Sequence, residues 1–103
     1  MYQLTIIYNK PGDAETFDNY YESQHLPLVA NIHGLERFTS GKCEALDGNP
    51  PSAYSIAQLS FASKDAAIQA LTSPEGQAAA GDVVNFADGG FTLHYSDETT
   101  VLP

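Results

Sequence analysis

The side chain best suited to chemistry in this sequence is His25, because an imidazole titrates near neutral pH and can both take and return a proton. Phe17, Tyr20, Tyr21, Gln24, His25 and Leu28 recur at spacings of three and four, which sets the histidine into a largely aromatic and apolar helix face. Pro27 cannot donate to the carbonyl of Ser23 and its ring crowds that same carbonyl, so the sequence predicts a helix that ends or kinks around His25. Such a break can point the ring into a cavity, where it would act as a general acid or base. The competing reading is a half-buried histidine hydrogen-bonded to the backbone.

Around it, tyrosine is frequent. A buried phenol combines an apolar body with one hydroxyl that donates or accepts, which suits a small aromatic, phenolic or lactone ligand. Tyr8, Tyr21, Leu28 and Tyr54 are the expected ligand-contacting residues, with Tyr21 one turn before His25 and placed to orient it. Asn85 and Phe86, just ahead of the Asp88-Gly89-Gly90 turn, would add an amide and an aromatic wall at the pocket mouth. Asp82 and Asp88 read as helix-capping and turn residues, with no paired-carboxylate role. His33 reads as a surface turn residue, His94 as a solvent-facing or helix-packing residue, and Cys43 as a small packed thiol. No Ser/His/Asp arrangement, glycine-rich phosphate loop or dinucleotide fingerprint is present, so no cofactor is expected. No cysteine and histidine cluster has zinc spacing, so no metal is expected either.

Elements that would hold these residues follow from periodicity and punctuation. Residues 2–8 alternate, with Tyr2, Leu4, Ile6 and Tyr8 on one side, and Lys10-Pro11-Gly12 ends the run as a first strand. Asp13 can cap a helix starting near Ala14. A second strand is expected over Gly34–Ala45, before the loop signal Asp47-Gly48-Asn49-Pro50-Pro51, and a third over Tyr54–Phe61. Ser63 would cap a short helix over Lys64–Leu71 that buries Ala67, Ile68 and Leu71. Ser73-Pro74-Glu75 starts another helix, running toward Phe86, and Phe91–Tyr95 makes a last strand. The order βαββαβ is the ferredoxin-like pattern, an α+β fold with a four-stranded antiparallel sheet and helices on one face. Tyr54, Ile56, Phe91, Leu93, Tyr95 and part of the first strand spread apolar area over both sheet faces. A second copy is therefore expected to cover the free face, forming a homodimer in which two sheets pack into an α/β barrel.

Composition narrows the rest. A chain of 103 residues makes one domain, residues 1–103. Thirteen acidic against four basic residues give a formal charge of -9, which repels phosphate backbones and anionic lipid heads, so neither nucleic acid nor membrane is expected as a partner. No run approaches the ~18 apolar residues of a membrane span. With one cysteine and no secretory-type leader, a cytoplasmic setting is expected.

Taken together, Phe17-Asp18-Asn19-Tyr20-Tyr21, His25-Leu26-Pro27-Leu28, Gly34-Leu35, Ser73-Pro74-Glu75-Gly76-Gln77 and Asp82-Val83-Val84-Asn85-Phe86 with Gly89-Gly90 resemble the EthD family. The resemblance runs over nearly the whole chain and implies a dimeric α+β barrel of the ferredoxin-like superfamily. It also implies a link to ethyl tert-butyl ether degradation alongside an oxidising system, and a loose classification with oxidoreductases. Related dimeric barrels include cofactor-free monooxygenases, muconolactone isomerases and polyketide cyclases or decarboxylases. The histidine of the family's His-x-Pro motif matches His25, the one functional position the resemblance carries over. The expected functions are then a cofactor-free proton-transfer enzyme, a cofactor-free oxygenase, or a non-catalytic binder serving a degradation pathway.

Overall fold

A computed structural model describes all 103 residues. Four strands, β1 (Tyr2–Tyr8), β2 (Leu35–Lys42), β3 (Ser55–Phe61) and β4 (Phe91–Asp97), form one antiparallel sheet in the order β2-β3-β1-β4. The helical segments are α1 (Ala14–Tyr20), a π-helical turn (Tyr21–His25), α2 (Leu26–Ala30), α3 (Lys64–Thr72), α4 (Pro74–Asp82) and a 3₁₀ turn (Val83–Asn85). This is the expected ferredoxin-like α+β order, with β2 stopping three residues earlier and β4 running two residues further than expected.

Register decides which side chains meet the helices. Leu4 lies opposite Leu59 on one side and Tyr95 on the other, Ile6 opposite Ala57 and Leu93, and Tyr8 opposite Ser55 and Phe91. Because side chains alternate along each strand, all of these share the helix-facing side. Between Leu35 and Arg37 the ladder slips by one residue, which turns Phe38 toward that same face, opposite Leu59, and Arg37 away from it. The other face carries Gln3, Thr5, Ile7, Ile56, Gln58, Thr92 and His94, so it is polar apart from two isoleucines. The expectation of a broad apolar outer face is therefore corrected. Phe91, Leu93 and Tyr95 look toward the helices, and Tyr54 packs its ring on Phe17 at 5.1 Å.

The N-terminal helix is irregular where a break was expected, at Tyr21–His25, but it runs on past Pro27 rather than ending there. Asp13 caps α1 by accepting from the Thr16 N–H at 3.1 Å. At Tyr21–His25 the helix widens, so that the Leu26 N–H reaches the carbonyl of Tyr21, five residues back. The wider turn gives the Pro27 ring room where an α-turn would crowd it, and the helix continues through Ala30. His25 occupies the last position of this π turn and is 3 % exposed.

On the other side of the molecule, Ser63 caps α3 by accepting from the Ala66 N–H. Ser73 joins two helices: its hydroxyl donates to the Ala70 carbonyl at 2.6 Å and accepts from the Gly76 N–H at 3.1 Å. The buried side of α3 is Ala67 and Ala70 rather than the expected Ile68, which is 51 % exposed. Small residues are needed because the α3–α4 corner is tight. A Cβ on Gly76 would sit 2.2 Å from the Ala70 carbonyl oxygen and 2.7 Å from Leu71 Cα. Helix propensity alone favours alanine over glycine in α4 by about 1 kcal/mol. The structure reverses that sign, since the clash is with backbone. Gly76→Ala is expected to destabilise by about 1–3 kcal/mol, as overpacking does. A rise in the thermal midpoint of that variant would overturn the expectation.

Candidate functional site

Between the sheet and the helices lies a cavity of about 250 Å³. Sixteen of its 18 lining residues are hydrophobic, and none carries a carboxylate, ammonium or guanidinium. Its floor is Leu4, Ile6, Ala57, Leu59 and Phe38 from the sheet, and its roof includes Val29, Ala79 and Val83 from the helical segments and Ile32 from the connection after α2. Leu93 and Tyr95 line it as well and are about half exposed, so the cavity opens along β4, the edge strand. Its polar equipment is confined to His25, Tyr8, Tyr21 and Tyr95.

His25 is tied from behind. Its Nδ1 lies 3.0 Å from Oδ2 of Asp82, the last residue of α4. The other oxygen of Asp82 accepts from the Tyr20 hydroxyl at 2.6 Å and from Nδ2 of Asn85 at 3.0 Å. Burial pushes the Asp82 carboxyl up, but the donors from Tyr20, Asn85 and His25 outweigh it and hold the group below its usual value, so it is a carboxylate. A carboxylate only accepts, so Nδ1 must carry the proton and Nε2 must present its lone pair. Burial lowers the His25 pKa below its ordinary value, partly offset by Asp82, which leaves the ring neutral near pH 7. Phe86, 4.6 Å away between ring centroids, and Tyr21, at 5.6 Å, clamp the imidazole. Nε2 makes no hydrogen bond within the chain, and the ring lines the cavity. The arrangement is a neutral base of fixed tautomer, backed by a carboxylate and facing an apolar space.

The structure distributes the other expected ligand contacts unevenly. Tyr8 and Tyr21 line the cavity with His25, and the Tyr21 hydroxyl is spent on Ser40 at 2.8 Å. Leu28 does not line it; Val29 of α2 and Ile32, just after that helix, do. Tyr54 stands outside as well, with its hydroxyl donating 2.7 Å to Asp18 and receiving from Lys42, which also pairs with Asp18. Asn85 and Phe86 border a separate depression with Asp13, Thr16, Phe17, Tyr20 and Asp88; rather than standing at the pocket mouth, Phe86 packs on the His25 ring and Asn85 bonds the Asp82 carboxylate behind it. His33 is an exposed turn residue, and His94 sits on the outer face near Thr92. No three His, Cys, Asp or Glu side chains come together as a metal site would require. Asp82 is the residue that sequence reasoning missed. One signal pointed to it: an acid at the C-terminal end of a helix opposes the helix dipole, so capping is a poor account of it there.

Fold and site together define a ferredoxin-like α+β protein with an apolar cavity and one buried histidine–aspartate pair. The chain belongs to the EthD family, whose domain model matches residues 9–90. It is 59% identical, over 100% of both chains, to an 11.0 kDa protein of the thcB-thcC intergenic region of Rhodococcus erythropolis. Among solved structures it is similar to an ethyl tert-butyl ether d family protein from Bacillus halodurans, at TM-score 0.91 and 26% identity, covering 96% of this chain and 99% of that one. SnoaB, a cofactor-independent oxygenase from Streptomyces nogalater, shares the fold at TM-score 0.70 and 16% identity, over 99% and 96% of the two chains. Further structural neighbours are described as dimeric proteins with a ferredoxin-like fold. No helix is long and apolar enough to cross a membrane.

Proposed function

We propose that this chain is a small cofactor-free enzyme that moves a proton on an aromatic, phenolic or lactone compound, working in the cytoplasm as a homodimer of one domain spanning residues 1–103. The observation that carries the reading is the buried His25–Asp82 pair, with the unpaired Nε2 of a neutral imidazole turned to an apolar cavity. Nε2 takes a proton from an acidic C–H or O–H of the ligand, and the imidazolium that forms is stabilised by the carboxylate 3.0 Å behind it. Returning that proton to another atom of the ligand is an isomerisation; letting the carbanion attack a carbonyl within the same molecule is a cyclisation. Decarboxylation is less favoured, because the cavity lining holds no cation to receive a carboxylate.

A second reading shares the same first step. A phenol deprotonated by His25 becomes an electron-rich phenolate that can react with oxygen directly, and the fold likeness to a cofactor-independent oxygenase supports it. The dimer is supported by the dimeric structural neighbours. The test is a thermal-shift screen of phenols, lactones and aromatic polyketide mimics, each hit followed by mass spectrometry with and without oxygen. Conversion that needs His25 establishes the enzyme, and oxygen dependence separates the two readings. Ligands bound by the protein and by His25→Ala alike, but never converted, would make it a binder.

A further inference from the structure

Tyr8 is 0 % exposed, and its hydroxyl is the one fully enclosed side-chain polar atom in the molecule without a hydrogen-bond partner. Neighbouring phenols are all engaged: Tyr20 with Asp82, Tyr21 with Ser40, Tyr54 with Asp18. Phenylalanine at position 8 would fill the same space among Phe17, Tyr21, Phe86 and Phe91 without a buried unpaired hydroxyl, so packing gives no reason for the oxygen. Tyr8 also lines the cavity, and its ring rests on Tyr21 and Phe86, the same two rings that hold His25. The unpaired phenol, on the sheet, and the base, on the helical side, thus line one cavity and pack against the same two rings.

We propose that the Tyr8 hydroxyl is the anchor for the carbonyl oxygen of the ligand, and that the site selects small uncharged carbonyl compounds whose remaining surface is apolar. This rests on the proposed function and names the substrate class for that same cavity. Burial, with the nearby Tyr21 and Asp82, pushes the phenol pKa well above its ordinary value, so the group stays protonated and donates. A donor calls for an acceptor on the ligand. The acceptor is uncharged because nothing in the lining is cationic and the charge that acts on the Tyr8 phenol, on Asp82, is negative. A carbonyl held by Tyr8 also acidifies the adjacent C–H: as Nε2 takes that proton and becomes imidazolium, the C–H electron pair moves onto the carbonyl oxygen, and the enolate so formed keeps the hydrogen bond from Tyr8.

The test is calorimetric titration with acetophenone, its shape-matched alkene α-methylstyrene, and benzoate, on the wild-type chain, Tyr8→Phe and His25→Ala. The expected result is that wild type prefers the ketone over the alkene and over benzoate. Tyr8→Phe should weaken ketone binding about tenfold, the loss of one good hydrogen bond, and leave alkene binding unchanged. Its thermal midpoint should not fall, since the hydroxyl holds nothing in the fold. Equal affinity of wild type for ketone and alkene, tight benzoate binding, no detectable ketone binding up to its solubility, or a Tyr8→Phe variant that loses both ligands together with stability would each overturn the proposal. Binding is read without turnover. A carbonyl preference that depends on Tyr8, found together with conversion that survives in His25→Ala, therefore refutes the proton-transfer reading and leaves the anchor standing.

Discussion

His25→Ala is expected to lower turnover of any accepted substrate by ~10²–10⁴-fold while ligand binding and assembly persist, because one positioned proton-transfer group contributes about that much. The pH profile shows whether the loss is chemical. In the wild type the base is the neutral ring, and burial holds the His25 pKa below its ordinary value. Activity is therefore present at neutral pH and falls as the pH drops through that lowered pKa. Asp82→Asn removes the anion that partly raises the His25 pKa, so its acid limb should move to lower pH. It should also cost rate, because an amide can donate to Nδ1 and so permits the wrong tautomer. Residual activity in His25→Ala should lack that limb. Full turnover with an unchanged profile would remove His25 from the chemistry.

The same groups set an acid limit on stability. His25 is buried neutral with a depressed folded pKa, so the stability it confers is present above its unfolded pKa and is lost as the pH falls through the folded one. Asp82 has a depressed folded pKa too, and its contribution disappears in the same direction, at lower pH.

Phe61→Ala is expected to cost about 3–5 kcal/mol of folding free energy, as large truncations in well-packed cores do. Phe61 is 0 % exposed at the end of β3, paired with Tyr2 on one side and Leu35 on the other, and it closes the core of the sheet end away from Tyr8. Against a total of about 5–15 kcal/mol for a domain, that is a large fraction. The thermal midpoint should drop by roughly 12 °C or more, at 4–8 °C per kcal/mol for a chain of this size. Phe61 does not line the cavity, so affinity per folded molecule should be little changed. Calorimetry showing a drop of only a degree or two would mean that the site collapses around the gap.

Much of the fold was written locally. Asp13, Ser63 and Ser73-Pro74 mark helix starts because a short side-chain oxygen meets free amides within three residues, an interaction confined to adjacent sequence. Alternation in β1 put Leu4, Ile6 and Tyr8 on the buried side for the same local reason. The spacing around His25 was equally legible, and so was the histidine's burial on an aromatic face. Three features were not. Pro27 marked an irregularity near His25, but that the chain meets it with a π turn and continues as helix is not encoded by the proline rule. The slip between Leu35 and Arg37, which sends Phe38 inward, is a property of pairing with β3 and leaves no period in β2 itself. Asp82 lies 57 positions from His25, and only the docking of α4 against the N-terminal helix makes them partners.

By itself, then, the sequence determined the element order, the helix caps, the buried side of β1 and the candidate base, because each follows from contacts within a turn or along a strand. The tertiary structure decided which tyrosine is left unpaired, which carboxylate fixes the tautomer of His25, and which residues enclose the cavity. Those are long-range pairings, set by register and helix docking, and no spacing along the chain encodes them.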